Sequence, residues 1–138
     1  QAALGLNQLK RIDKIVKKKR EIGNFFYNNL KKNKNIIIQK PSLDYCKNIY
    51  WIFGILIKDS NRKNTQQVRK KLLKLGVETR DFFWPMHKQN IYKKMGFFKG
   101  QSFPVAEYMA TNGFYIPSGL GLKKSEMIKI YKCINKIL

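Results

Sequence analysis

Apolar residues recur at helical spacing over the first thirty positions of the chain. The stripe runs at steps of mostly three or four residues through Leu9, Ile12, Val16, Ile22, Phe25, Phe26 and Leu30. Such a period predicts one long amphipathic helix. The opening residues "QAAL" offer no Ser, Thr, Asp or Asn as a helix cap, so we expect the chain to have been cut from a longer protein.

Two apolar runs after this helix have the length and composition of strands. The first, "III" (36–38), is β-branched and is closed by Pro41, and the second is "NIYWIFGILIK" (48–58). Because β-branched and aromatic residues favour strands, both runs are predicted to lie in a sheet, the second of them buried.

A further helix is predicted after the second run. The polar residues "DSN" (59–61) have turn chemistry, and Thr65 is placed to cap the helix. Its apolar face consists of Val68, Leu72 and Leu75. Gly76 is expected to end it, because glycine takes the left-handed conformation found at many helix ends.

Short strands and helices alternate along the rest of the chain. "VETRDFF" (77–83) is predicted to be a strand that Pro85 ends, and Pro104 suits the first turn of a short helix. "FYIP" (114–117) is a further extended piece, and a last helix is expected to open at Ser125 or a neighbour. The order α-β-β-α-β-α-β-α predicts an α+β fold in which helices pack on a short, mostly antiparallel sheet.

Composition adds one strong feature, a formal net charge of +21, which suggests a polyanionic partner. The excess is nearly all lysine, with many asparagines and isoleucines, a mixture that an AT-biased genome imposes on any protein. A nucleic-acid surface more often adds arginines, which grip phosphate and guanine with two hydrogen bonds. We therefore interpret most of the charge as solvated surface and do not expect nucleic acid as a partner.

Several classes of protein and site are not expected. With 138 residues and 43% apolar content, the chain suits one domain with its own core. It shows neither a run of about 20 apolar residues nor a secretory leader, so we expect a cytoplasmic protein without a membrane partner. Cys46 and Cys133 lack zinc-site spacing, so ordinary thiols and no metal site are expected.

Candidate chemistry converges on "VETRDFFWPMHKQ" (77–89), which holds the only histidine of the chain. In a strand the side chains alternate, so one face would carry Glu78, Arg80, Phe82 and Trp84, and the other Val77, Thr79, Asp81 and Phe83. Arg80 and His87 could then hold an anion, with aromatic side chains flanking a ring or a sugar. Aromatic residues are more often core, and a lone histidine is more often structural, so the residue types leave both interpretations open.

Three blocks of the sequence resemble one enzyme family in order and spacing. They are "QAALGLNQLKRIDKIVKKKREI" (1–22), "GVETRDFFWPMHKQNIY" (76–92) and "SFPVAEYMATNGFYIPSGLGLKKSEM" (102–127). The chain resembles the DegT-type, pyridoxal-phosphate-dependent nucleotide-sugar aminotransferases. The double aromatic and "PMHKQNIY" are most similar to the perosamine-synthetase branch, which acts on nucleotide-linked 4-keto-6-deoxy sugars.

The resemblance implies the C-terminal part of a fold-type-I aminotransferase, with the connecting helix at 1–32 and the small α+β domain at 33–138. The pyridoxal 5'-phosphate and its lysine would belong to a large domain that this sequence lacks, so no catalytic residue is expected here. The implied substrate contacts are Arg80, Phe82, Phe83, Trp84 and His87. Glutamate as amino donor, a homodimer, and a role in cell-surface polysaccharide or O-antigen sugar biosynthesis are implied in the same way.

Two alternatives stay open at this stage. One is a basic nucleic-acid-binding module, whose affinity would fall steeply with salt. The other is a non-catalytic remnant that packs against an aminotransferase subunit. The whole enzyme would be active, whereas the 138-residue segment alone is expected to be inactive.

Overall fold

The computed structural model describes residues 1–58 and 62–138, so the turn predicted at 59–61 lies outside the described residues. The helices are α1 (Ala2–Leu9), α2 (Ile12–Leu30), α3 (Arg62–Lys74), α4 (Asn90–Lys94), α5 (Pro104–Asn112) and α6 (Lys124–Ile137), with a 3-10 helix at Met86–Lys88. The strands are β1 (Ile36–Ile38), β2 (Ser42–Leu43), β3 (Cys46–Lys47), β4 (Phe53–Ile57), β5 (Arg80–Asp81) and β6 (Gly113–Ile116).

Four strands form one sheet in the order β1-β4-β6-β5, and every neighbouring pair is antiparallel. A separate two-stranded hairpin joins β2 to β3. The predicted α+β class, with helices on a short antiparallel sheet, is confirmed. The predicted strands at "III" and "FYIP" and the helix that begins with Pro104 are confirmed as β1, β6 and α5.

The core lies between one face of the sheet and the long helices. Residues from α2, the sheet, α3 and α6 form a single buried cluster that includes Phe26, Leu30, Phe53, Ile55, Leu72, Phe114, Ile116, Ile130 and Ile134. Phe26 of α2 packs on Phe53 of β4 with ring centroids 5.4 Å apart. Because side chains alternate along a strand, burying Phe114 and Ile116 on this face turns Tyr115 to the outer face.

The prediction of one continuous N-terminal helix was wrong. The helix breaks at Arg11, whose φ of -113° and ψ of 0° are not helical, and α2 begins at Ile12. Leu4, Leu6 and Leu9 of α1 stay exposed, so the apolar stripe of α1 does not pack on the described residues as that of α2 does. The division into 1–32 and 33–138 remains a prediction.

Two other boundaries differ from the predictions. The buried strand predicted at 48–58 is limited to β4, because Tyr50 takes a φ of 50° and buries its ring over Gly23 of α2. Thr65 does not cap α3, which begins three residues earlier and buries Thr65 within it. Gly76 does follow the end of α3, with a φ of 78°, as predicted. Within the described ranges, no helix combines the length and apolar character needed to cross a bilayer.

Candidate functional site

Arg80 lies on the outer face of the sheet, at its edge. It pairs with Tyr115 across β5 and β6, and the next pair is Asp81 with the buried Phe114. The guanidinium of Arg80 makes no hydrogen bond or ion pair with another described residue. It lines a cavity of about 250 Å³ together with Ile52, Glu78, Thr79, Tyr115, Ile116, Pro117 and Ser118. This cavity therefore offers an exposed cation to an incoming anion.

The far wall of this cavity is held by a lysine of α2. Lys19 Nζ donates to the carbonyl oxygen of Ser118 at 2.7 Å and to its Oγ at 3.3 Å. Burial lowers the pKa of Lys19, because the charged form loses hydration. The contact ties the segment after β6 to α2 and so keeps Ser118 beside Arg80.

Phe82 packs flat against the sheet rather than projecting into solvent. A Cβ added at Gly54 would lie 2.7 Å from Phe82 Cζ, and one added at Gly113 would lie 2.5 Å from Phe82 Cδ2. The absence of side chains at these two neighbouring positions therefore makes the space that the ring fills. Phe82 forms the floor of the outer face next to Arg80.

Phe83 forms an exposed aromatic surface with two residues from other strands and loops. Its ring stacks on Trp51, with centroids 5.9 Å apart and planes 7° from parallel, and lies 6.2 Å from the ring of Tyr115. Trp51 is 68% exposed and Phe83 is 60% exposed. Trp51, Phe83 and Tyr115, here called the aromatic platform, thus present ring faces beside Arg80.

This arrangement corrects the strand predicted at 77–83. Regular pairing covers only Arg80 and Asp81, and the alternation of side chains between the two faces fails after Phe82. Phe82 and Phe83 consequently lie on the same outer face instead of on opposite faces.

Trp84 and Met86 lie on the other side of Phe83. Trp84 Nε1 donates to the carbonyl oxygen of Lys88 at 3.2 Å, which fixes the indole over the 3-10 helix. An apolar groove of about 570 Å³ is lined by Phe82, Phe83, Trp84, Pro85, Met86, Gln89, Ala106 and Met109. Four of the five predicted site residues, all except His87, therefore line this groove or the adjacent Arg80 cavity.

His87 is placed differently from the other predicted residues. Its side chain is only 8% exposed, and Nε2 lies 3.0 Å from Glu107 Oε1. Lys88 Nζ lies 3.0 Å from the other oxygen of Glu107, and the imidazole packs on Phe103 at 4.7 Å. Hydrogen bonds from Lys88 and then from His87 lower the pKa of the Glu107 carboxyl. His87 thus joins the 3-10 helix to α5 and lines neither cavity.

The sequence reasoning missed Trp51 and Tyr115. Both stood within predicted strands, and nothing in a local pattern showed that Trp51 would leave its strand and meet Phe83. The free thiols Cys46 and Cys133 are exposed and half-buried, respectively.

Comparison with known proteins identifies relatives over the full chain. GDP-perosamine synthase of Escherichia coli O157:H7 is 33% identical over 137 residues, which cover 98% of this chain and 35% of that protein. GDP-perosamine synthase of Vibrio cholerae is 28% identical over 134 residues, covering 97% of this chain and 35% of that protein. The chain thus spans about a third of the length of these curated relatives.

Solved structures share the fold. Helicobacter pylori PseC, an aminotransferase involved in the biosynthesis of pseudoaminic acid, superposes with a TM-score of 0.85 at 21% identity. The match covers 99% of this chain and 36% of that one. The sugar aminotransferase CalS13 from Micromonospora echinospora gives a TM-score of 0.79 at 18% identity, over 97% of this chain and 34% of that one. The DegT/DnrJ/EryC1/StrS aminotransferase family matches residues 1–135, and the chain belongs to this family.

Proposed function

We propose that this chain is the C-terminal part of a pyridoxal-phosphate-dependent aminotransferase. The whole enzyme would move an amino group from glutamate to a nucleotide-linked 4-keto-6-deoxy sugar, as in perosamine formation for cell-surface polysaccharide or O-antigen. The observation that carries the proposal is the family match over residues 1–135, together with relatives named GDP-perosamine synthase.

No lysine side chain among the described residues is suited to covalent attachment of the cofactor. A lysine that binds pyridoxal phosphate needs a sheltered amine free to react with the aldehyde. Among the lysines whose side chains the structure describes, only Lys19 and Lys88 are even partly buried. The amines of Lys19 and Lys88 are already bonded to Ser118 and Glu107. Binding of the cofactor is therefore assigned to the remaining two thirds of the proposed enzyme.

The substrate side of the site is assigned to the outer face of the sheet. A nucleotide-linked sugar combines a diphosphate with flat and apolar groups. The Arg80 cavity offers a guanidinium without a described partner, and the aromatic platform beside it offers exposed ring faces. Charge-assisted bonds to Arg and stacking on aromatic rings are the contacts that such a ligand uses.

The other predicted site residues receive distinct roles. Phe82 supports the surface from below, and Trp84 forms one wall of the apolar groove. His87 is proposed to shape the site by holding the 3-10 helix against α5 through Glu107. A homodimer and a cytoplasmic location belong to the same proposal, and the exposed apolar residues of α1 suit an interface.

An amino-transfer assay tests the proposal. The protein, extended upstream of Gln1, is incubated with pyridoxal phosphate, glutamate and a nucleotide-linked 4-keto-6-deoxy sugar, and release of 2-oxoglutarate is followed. Turnover that requires the keto sugar is expected. A protein that holds the cofactor but transfers nitrogen to no keto sugar would contradict the substrate class, and one that never holds the cofactor would contradict the enzyme.

A further inference from the structure

Arg69 of α3 forms hydrogen bonds to the residues on both sides of Arg80. Its Nε donates to Thr79 Oγ1 at 3.1 Å, and its Nη2 donates to the carbonyl oxygen of Thr79 at 2.9 Å. Its Nη1 bonds to the carboxylate of Asp81. One guanidinium therefore holds the residues immediately before and after Arg80.

Few backbone hydrogen bonds fix this segment. β5 contains only Arg80 and Asp81, and it is an edge strand paired on one side with β6. The next backbone bond, from Phe82 N to Gly113 O, is 3.5 Å long and therefore weak. The direction in which the Arg80 side chain projects from the sheet therefore depends on the hydrogen bonds that Arg69 makes from α3.

The pairing also settles which guanidinium Asp81 neutralises. Arg69 is mostly buried, with 20% of its side chain exposed, and Asp81 is its acidic partner. A buried guanidinium without a carboxylate is costly, so Asp81 remains with Arg69. Arg80, the neighbour of Asp81 in the sequence, is left with its charge available for an external anion.

We propose that Arg69 is a positioning residue for the substrate site, acting through Thr79 and Asp81 on Arg80. The inference rests on the proposed function, in which Arg80 contacts the anionic part of the nucleotide-linked keto sugar. Lysine cannot replace Arg69 fully, because an ammonium lacks the planar set of donors that reaches three acceptors at once.

The test compares kinetic constants in the protein extended upstream of Gln1. Arg69→Gln is expected to raise the KM for the keto sugar roughly tenfold, the loss that a charge-assisted hydrogen bond represents, with a smaller effect on kcat. Arg69→Lys is expected to recover part of the difference. Lys70→Gln, which removes the adjacent cation of the same helix, is expected to leave both constants at the wild-type values.

A double-mutant cycle separates positioning from general destabilisation. If Arg69 acts through Arg80, the Arg69→Gln/Arg80→Ala enzyme is no worse than Arg80→Ala alone. Additive losses, or an unchanged KM for Arg69→Gln, would overturn the inference. Turnover by the wild-type enzyme would still support the proposed function in that case. Absence of amino transfer in the wild type would overturn the proposed function and this inference with it.

Asp81→Asn provides a second variant, which weakens the same contact while Arg69 itself is kept. Asn keeps the shape of Asp81 and an oxygen that can accept from Arg69, and the position is 55% exposed, so the variant is expected to fold with a stability below that of the wild type. Removal of a negative charge near an anionic substrate should by itself lower KM. Loss of the grip on β5 should instead raise KM, and a lowered KM would therefore count against the positioning role.

Discussion

The ring of Phe82 lies across the backbone of Gly113. A Cβ at Gly113 would stand 2.5 Å from Phe82 Cδ2 and 2.4 Å from the carbonyl oxygen of Met109. The ring could turn away, but the backbone oxygen belongs to α5 and cannot shift without moving that helix. The glycine therefore lets the floor of the proposed site and α5 approach the same point of β6.

Gly113→Ala is expected to destabilise the protein by about 1–3 kcal/mol, the usual cost of overpacking. Chemical denaturation measures the change. Gly119→Ala is the matched control, because nothing lies within 4 Å of a Cβ added there, and its effect should stay within about 0.5 kcal/mol. Equal stabilities for the two variants would contradict the packing described for Phe82.

The Glu107 contacts predict a loss of stability in acid. Because the folded protein holds the pKa of Glu107 below its ordinary value of 4.5, the stabilisation is complete above that value. It is lost as the pH falls through the lowered pKa. Glu107→Gln should therefore melt at a lower temperature than the wild type near pH 7, and the gap should close as the carboxyl is protonated.

Glu21→Gln is the control for this measurement. Glu21 meets Lys18 on the exposed surface of α2 at 3.6 Å, a contact of the kind that contributes little. Its melting temperature should follow that of the wild type at every pH. A gap for Glu107→Gln that persists unchanged in acid would show that the carboxylate is not the source of the effect.

Trp51→Ala tests the aromatic platform. Since the side chain is 68% exposed, the melting temperature should change little. Stacking of a base on an aromatic ring is worth about 1–3 kcal/mol, so the KM for the nucleotide-linked sugar should rise on the order of tenfold. Tyr45→Ala removes an aromatic residue that is 86% exposed on the β2–β3 hairpin and makes no ring contact with the platform, so it should leave KM unchanged. Equal KM values for the two variants would show that the aromatic platform does not contact the substrate.

The 138-residue chain by itself is expected to neither bind pyridoxal phosphate stably nor catalyse transamination. The reason is that none of its described lysine side chains is buried in a pocket suited to the cofactor. Absorbance spectra of the purified chain with added cofactor provide the measurement. A visible band fixed by borohydride reduction to one mapped lysine would contradict the expectation.

Local patterns predicted the elements that bury a repeating face. Ile36–Ile38 and Gly113–Ile116 are strands, and α6 buries Met127, Ile130 and Ile134 at the expected helical spacing. Periodicity succeeds here because the buried face and the hydrogen-bonding period belong to the same short segment.

Contacts between distant segments could not be predicted in this way. The sequence shows Arg69 as one cation of a lysine-rich helix, and only the fold brings it to Thr79 and Asp81. Trp51 stood inside an apolar run that read as a buried strand, yet the turn at Tyr50 places it in solvent beside Phe83. The predicted site residues came from one continuous segment, whereas the Arg80 cavity and the aromatic platform draw on three, at 51–52, 78–83 and 115–118.

The most direct test of the account compares Arg80→Ala with Lys18→Ala in the protein extended upstream of Gln1, by measuring kcat/KM for amino transfer to the keto sugar. Both changes remove one exposed cation, but only Arg80 lines the cavity beside the aromatic platform. The account predicts a loss on the order of tenfold or more for Arg80→Ala and almost none for Lys18→Ala. Equal and negligible losses in an enzyme that transfers nitrogen would show that the outer face of the sheet is structural and that the substrate binds elsewhere.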